Sequence, residues 1–116
     1  MGNQNLDCSV VIPMYNAEKF VELAVRSVMN QTVKNIEIIC VDDCSTDKTY
    51  QIVENLKKED ARIVLIKNET NSKVSATRNH GVQNAKSNWV AFLDSDDMWK
   101  ENHLELLLAL ICHKRI

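Results

Sequence analysis

The chain is predicted to fold as an α/β domain, a parallel β-sheet with helices packed on both faces. Three observations predict it. Short β-rich runs alternate with stretches of helical period, giving the order β-α-β-α-β-α-β-α, which closes into a parallel sheet through right-handed crossovers. The run Ile36-Glu-Ile-Ile-Cys-Val41 is almost continuously apolar, as a strand covered on both sides must be. A length of 116 residues has room for one domain and no more, and there is no repeat, low-complexity segment or linker.

Each element has its own signal. The first strand reads Cys8-Ser-Val-Val-Ile-Pro13 and is expected to stop at the proline, which has no N–H for a ladder. Asn16 is expected to cap a first helix whose apolar face is Phe20, Leu23, Ala24, Ser27 and Val28, spaced by three and four. The second strand is Ile36 to Val41. A second helix starts at Ser45 or Thr46 and buries Ile52, Val53 and Leu56, and Arg62 to Ile66 is the third strand. A weaker helix from Ser72 to Ala85 uses Val74, Val82 and Ala85, and carries Gly81 at a cost of about 1 kcal/mol against alanine. Trp89 to Leu93 forms the fourth strand and Lys100 to His113 the last helix.

The composition narrows the function classes. A formal charge of −2 gives no electrostatic reason to expect nucleic acid. Acidic substrates stay open, because a bound metal ion can reverse the local sign of a site. Met1 to Asp7 is polar and no apolar run follows a basic start, so no signal peptide is expected. The longest apolar stretch, Leu106 to Cys112, is too short to cross a bilayer. Cys8, Cys40, Cys44 and Cys112 form no Cys-x-x-Cys pair, so the expectation is reduced thiols in a cytoplasmic protein.

In open parallel sheets, ligands sit beyond the carboxyl ends of the strands, near the point where strand order reverses. Those ends read Pro13-Met14-Tyr15-Asn16, then Asp42-Asp43-Cys44-Ser45-Thr46-Asp47, and after the fourth strand Asp94-Ser95-Asp96-Asp97. Six carboxylates thus fall on one edge, and packed like charges repel unless something positive joins them. A hard divalent cation, Mg2+ or Mn2+ rather than zinc, suits oxygen-only ligands. Asp94 and Asp96, two apart, would point the same way in extended backbone, and a metal with open positions would also grip a diphosphate.

Each piece also has a structural reading. A lone Asp-x-Asp is commonly a solvated turn or cap, and Asp42 and Asp47 would serve equally as caps of the second helix. What strengthens the metal reading is the position of Asp94 and Asp96 after Trp89-Val-Ala-Phe-Leu93, opposite a second acidic strand end. With only Gly2 and Gly81, neither a P-loop nor a dinucleotide-binding glycine turn can form. Phosphates would therefore need metal and basic side chains, with Arg78 and Lys73 as candidates. Lys73 would otherwise be a solvated lysine, and Arg78 a structural partner of a strand-end carboxylate. Tyr15 either stacks on a base or closes the strand end, and His80, His103 and His113 lack metal spacing.

Four stretches occur in order: Val11-Ile-Pro-Met-Tyr-Asn16, Val41-Asp-Asp-Cys-Ser-Thr-Asp47, Ala76-Thr-Arg-Asn-His-Gly81 and Phe92-Leu-Asp-Ser-Asp-Asp97. Together, from about Leu6 to Trp99, they resemble the N-terminal half of glycosyltransferase family 2, inverting enzymes of the GT-A fold. The resemblance implies a Rossmann-like three-layer α/β/α domain over residues 1–116, with a mainly parallel sheet of strand order 3-2-1-4. It implies that Pro13 and Tyr15 lie against the donor base, with Asn16 beside them in the donor site. Asp43 would bind base or ribose, Asp42 would support its loop, and Arg78 would lie near the nucleotide. Asp94 would touch the ribose or donor sugar, Asp96 would be the main ligand of Mn2+ or Mg2+, and Asp97 a neighbouring acidic contact. Glycine is frequent in the family where this chain has Cys44, Ser72 and Ser87.

The chemistry so implied is in-line displacement at the anomeric carbon, with metal stabilising the departing diphosphate and a base deprotonating the acceptor hydroxyl. A UDP-sugar is the default donor, with guanosine and thymidine diphosphates as alternatives. A saccharide or lipid-linked acceptor is implied, in polysaccharide or glycoconjugate synthesis, with the protein cytoplasmic or held at the membrane through partners. No residue is assigned as the general base. The family carries it in an acceptor-binding half, expected beyond Cys112-His-Lys-Arg-Ile116, so this chain alone is expected to bind donor and to turn over slowly or not at all.

Two rivals remain. A phosphoacceptor receiver domain is doubly wound too, but its acidic pair follows the first strand and a lysine follows its fifth, which this chain lacks. A non-catalytic nucleotide-binding or assembly module derived from a transferase fits the last helix. There Leu104, Leu106, Leu107, Leu108, Leu110 and Ile111 are apolar nearly all round, which calls for a partner surface and implies self-association.

Overall fold

The computed structural model describes residues 6–114, with side chains as far as Ile111. The elements are β1 (Cys8–Met14), α1 (Val21–Met29), β2 (Ile36–Asp42), α2 (Thr49–Glu59), β3 (Ile63–Lys67), α3 (Lys73–Gln83), β4 (Val90–Phe92) and α4 (His103–Lys114). All strand pairs are parallel and the order is β3-β2-β1-β4, as expected. The order reverses at β1, which pairs with β2 on one side and β4 on the other, and this places a crevice above its carboxyl end.

Every residue of β1 and β2 is buried, and side-chain alternation divides them between two cores. Val10, Ile12, Ile38 and Cys40 face the larger core with Val21, Ala24, Val25 and Val28 of α1, Val53 and Leu56 of α2, and Leu104 of α4. Val11, Ile39 and Val41 face the other way, toward α3. Burial pushes the Cys40 thiol up to about 12 and the Cys8 thiol to about 11, so both stay protonated. Cys112 lies outside the described side chains.

Several expectations are corrected. β1 runs through Pro13 to Met14. Its pairing with β4 ends at Val11, so the proline sits past that ladder and its absent N–H disrupts nothing there. Asn16 does not cap α1. The helix begins at Val21 behind a turn in which Phe20 and Val21 donate to the Ala17 carbonyl (2.9 and 2.8 Å), and no side chain caps it. Its buried face is Val21, Ala24, Val25 and Val28, leaving Phe20 52% and Leu23 58% exposed. The expected and observed stripes share Ala24 and Val28 and differ by one step of helix rotation, and the compact valines rather than Phe20 and Leu23 lie on the sheet.

α2 starts at Thr49, later than expected. α3 buries Thr77 and Gly81 rather than Val74 and Val82. The glycine has a physical reason: a Cβ there would overlap Val11 Cγ1 and sit 3.3 Å from Val41 Cγ2. Only a residue without a side chain lets α3 lie so close to the sheet.

α4 is held at its first turn. Buried Gln31 donates from Nε2 to the Lys100 carbonyl (2.7 Å) and accepts from the Leu104 N–H (2.9 Å). Farther along, Leu106 and Leu110 are 61% and 56% exposed. Among the described residues, no helix is long and apolar enough to cross a membrane.

Candidate functional site

The carboxyl ends of β1, β2 and β4 and the first turns of α3 surround a cleft of about 730 Å³, within the range of small-molecule sites. Pro13, Tyr15, Asn16, Asp43, Arg78, Asp94 and Asp96 all line it, as does Lys73. Asp42 and Asp97 do not. The structure therefore brings most of the expected residues together and separates two of the acids from them.

At the end of β2, Asp42 is fully buried, and its two oxygens accept from the Ser45 hydroxyl (2.5 Å) and the Ser45 N–H (3.1 Å). It shapes the loop, and contact with a ligand in the cleft is closed to it. Asp47, one residue before the cap position Lys48, accepts from the Thr49 N–H (2.9 Å) and hydroxyl and from the Glu18 N–H (3.2 Å), which ties the start of α2 to the β1–α1 loop. Desolvation works to raise its pKa, but these bonds outweigh it and the net shift is downward. Asn16, at φ 47°, joins the same loops. Its Oδ1 accepts from the Thr46 N–H (2.8 Å) and its own N–H donates to Ser45 Oγ (2.9 Å).

Asp43, the residue just past β2, is the acid of that strand end that reaches the cleft. Its Oδ1 accepts from the Ser72 N–H (2.7 Å) and Asn68 Nδ2 (2.9 Å), and its Oδ2 from the Lys73 N–H (3.0 Å). Burial pushes its pKa up, but these bonds and the nearby Thr77 hydroxyl more than offset it, so the group is held below the ordinary carboxylate value. Cys44 (φ 64°) and Lys73 (φ 73°) are left-handed. That conformation favours glycine and costs other residues on the order of 1 kcal/mol.

After β4 the chain turns. The Asp97 N–H donates to the Asp94 carbonyl (3.0 Å), so Asp94-Ser95-Asp96-Asp97 is a tight turn and not the extended backbone expected of it. Asp94 and Asp96 still both face the cleft. Asp97 turns away, and its carboxylate accepts from the Met98 N–H (3.0 Å). Arg78 Nη2 donates to Asp94 Oδ1 (3.0 Å) and its guanidinium lies 5.9 Å from the centre of the Phe92 ring. Its buried Nε has no partner.

The six strand-end carboxylates therefore do not converge, because three of them are occupied with backbone and hydroxyl groups in their own loops. Among the described residues, no three acidic, histidine or cysteine side chains come together as a metal cage. Asp94 and Asp96 nonetheless fit an ion of the kind that takes one or two carboxylates and completes its shell with phosphate and water. Asp96 has no protein partner among the described residues, and Asp94 is 57% exposed.

Several lining residues escaped the sequence reading, among them Ala17, Asn71 and Thr77. Phe20 and Val74, 52% and 54% exposed, form part of the cleft wall, although helical spacing assigned both to the core. The available signal was a surplus: α1 has more apolar residues than one face can bury, and Val21 and Val25 take the places on the sheet.

Residues 9–116 match the Glycosyl transferase family 2 domain. The chain belongs to that family. It is similar to the putative teichuronic acid biosynthesis glycosyltransferase TuaG of Bacillus subtilis strain 168, with 42% identity over 106 residues, 91% of this chain and 42% of that protein. It also resembles the Escherichia coli UDP-Glc:alpha-D-GlcNAc-diphosphoundecaprenol beta-1,3-glucosyltransferase WfaP, at 44% identity over 78% of this chain and 36% of that protein. The solved structure of S. aureus TarS 1–349 in complex with UDP superposes with a TM-score of 0.83 at 35% identity, over 91% of this chain and 32% of that one. The UDP-GlcNAc complex of the same protein gives 0.84, over 91% and 31%. The family fold, GT-A, is the one described above, and the chain spans less than half the length of these relatives.

Proposed function

We propose that the cleft binds the nucleoside diphosphate of a nucleotide-sugar, and that the chain is the donor-binding part of a glycosyltransferase of polysaccharide or glycoconjugate synthesis. One observation carries the reading: Asp94 and Asp96, from the end of β4, enter the same cleft as Tyr15, Asp43 and Arg78. The complexes of TarS with UDP and UDP-GlcNAc, and the UDP-Glc named for WfaP, support a UDP-sugar as donor.

In this reading the exposed ring of Tyr15 and the side chain of Phe20 offer apolar surface to the base, and Asp43 offers an acceptor oxygen. Arg78 turns its free N–H groups to the diphosphate. Asp94 and Asp96 would hold Mn2+ or Mg2+, which supplies positive charge to the leaving diphosphate. Displacement is in line, with inversion at the anomeric carbon. The acceptor is a saccharide or a lipid-linked saccharide, reached from the cytoplasmic side of the membrane.

Calorimetric titration of the chain with UDP, GDP and dTDP, with and without Mn2+, tests this. UDP binding that strengthens with metal is expected. No binding to any of the three favours an assembly module instead, a reading supported by the exposure of Leu106 and Leu110 on α4. That module would self-associate through α4, and a monomeric sedimentation profile at high concentration argues against it.

A further inference from the structure

Asn68, the residue just past β3, uses every hydrogen-bonding group it has. Its N–H donates to the Asp42 carbonyl (2.8 Å) and its own carbonyl accepts from Cys44 Sγ (3.0 Å). Its side-chain NH2 donates to Asp43 Oδ1 (2.9 Å) and to Thr77 Oγ1 (3.1 Å), and its Oδ1 meets His80 Nδ1 at 2.7 Å. The residue is 6% exposed.

The carboxylate settles which way the amide points. An amide oxygen turned toward Asp43 would set two acceptors against each other, so the NH2 faces Asp43 and the oxygen faces the imidazole. His80 Nδ1 must then donate, which fixes a proton on that nitrogen. The chain of orientation runs from α3, through His80 and Asn68, to the carboxylate that enters the cleft.

The consequence falls on Asp43. Oδ1 already accepts from the Ser72 N–H and from Asn68, whereas Oδ2 accepts from the Lys73 N–H; the neighbouring Thr77 hydroxyl gives its hydrogen to the Lys73 carbonyl (2.7 Å). Oδ2 is therefore the oxygen with acceptor capacity to spare. Neither Asn68 nor His80 lines the cleft, so each acts on a ligand there through the residues it holds, Asp43 first and Thr77 beside it.

We infer that Asn68 and His80 are positioning residues of the donor site: Asn68 holds the Asp43 carboxylate in the orientation that frees Oδ2, and His80 holds the Asn68 amide. This rests on the nucleotide-binding reading of the cleft. Without the pair, Asp43 keeps its bonds to the Ser72 and Lys73 N–H groups but loses its side-chain brace, and its carboxylate is held less firmly toward a ligand.

The experiment is titration of the chain and its variants with UDP, GDP and dTDP in the presence of Mn2+, alongside thermal unfolding of each. Asn68→Ala is expected to weaken the nucleotide that binds roughly tenfold, the range of a hydrogen bond to a charged group. In a cycle with Asp43→Asn, that loss should largely vanish, because both changes act on one interaction. His80→Phe keeps a ring without a donor and covers the case in which Asn68→Ala does not fold. It should weaken binding severalfold, and His80→Gln, which restores an N–H donor, should recover part of the loss. Nucleotide binding that His80→Phe leaves unchanged, or losses that add fully to that of Asp43→Asn, overturns the positioning role alone. A folded wild-type chain that binds none of the three nucleotides overturns the donor-site reading, and this inference with it.

Discussion

Asp43 at the end of β2 caps the helix that carries Arg78: its carboxylate accepts the N–H groups of Ser72 at 2.7 Å and Lys73 at 3.0 Å. Ser72 stands at the cap position of α3 but makes no side-chain cap bond of its own. The acid proposed to meet the ligand thus also anchors the first turn of α3, and with it the approach of Arg78 to Asp94.

Acid should therefore weaken the fold through this carboxylate. The pKa values of Asp43 and Asp47 are lowered, with desolvation opposing the shift and hydrogen bonds to Ser72, Asn68 and Thr49 overcoming it. A depressed folded pKa contributes stability that is fully present above the unfolded value, about 3.9, and is lost as pH falls through the folded one. Thermal midpoints should be level with respect to these two groups above about pH 5 and fall below about pH 4. Asp43→Asn should lower the midpoint at neutral pH and flatten that acid slope. An unchanged slope in Asp43→Asn would count against the carboxylate as its source.

Gly81→Ala is expected to destabilise. On an exposed helix the change would gain about 1 kcal/mol of propensity. Here the added Cβ overlaps Val11 Cγ1 on the central strand, and forcing a methyl into a packed contact costs typically 1–3 kcal/mol. Urea denaturation should show a lower midpoint at unchanged slope. A stabilised Gly81→Ala variant would show that α3 can move off the sheet freely.

The left-handed positions give a signed pair of substitutions. Cys44 at φ 64° is held by the Asp42 turn before it and by its Sγ contact with Asn68. Cys44→Gly relieves strain of about 1 kcal/mol but frees the unfolded chain by a similar amount, so a net change within about 0.5 kcal/mol is expected. Cys44→Val puts a β-branched residue in the same conformation and should cost more than about 1 kcal/mol. Urea midpoints of the two variants decide it, and equal stabilities would contradict the strain.

The parallel pairing and the strand-end location of the cleft were legible in local signals, the apolar runs and the acidic strand ends, whereas the strand order came only with the family resemblance carried by the four ordered motifs. Helix rotation was not. In α1 two overlapping stripes compete, and in α3 the buried face is made of Thr77 and Gly81, which carry almost no hydrophobic signal. The fates of the six carboxylates were illegible for a different reason. Asp42, Asp47 and Asp97 are taken up by neighbours three, two and one residue along the chain respectively, whereas Asp43 and Asp94 take partners from α3. Spacing alone does not separate these cases; the backbone path of each turn does.

That division predicts how the acids after β4 will behave. Asp96 lines the cleft and has no protein partner among the described residues, so Asp96→Asn should leave stability within about 0.5 kcal/mol of wild type. It should nonetheless remove most of the Mn2+ dependence of nucleotide binding, because the carboxylate most open to a cation is gone. Asp97→Asn should retain that dependence, since its side chain accepts from the Met98 N–H and points away from the cleft. Asp94→Asn falls between them. It removes a negative ligand and also weakens the hold on Arg78, because an amide oxygen accepts from Nη2 without the carboxylate's charge, so metal dependence should drop while some metal-independent affinity is kept. Titrating UDP into the three variants with and without Mn2+ reads all of this directly. Equal metal dependence in Asp96→Asn and Asp97→Asn would move the cation away from this turn.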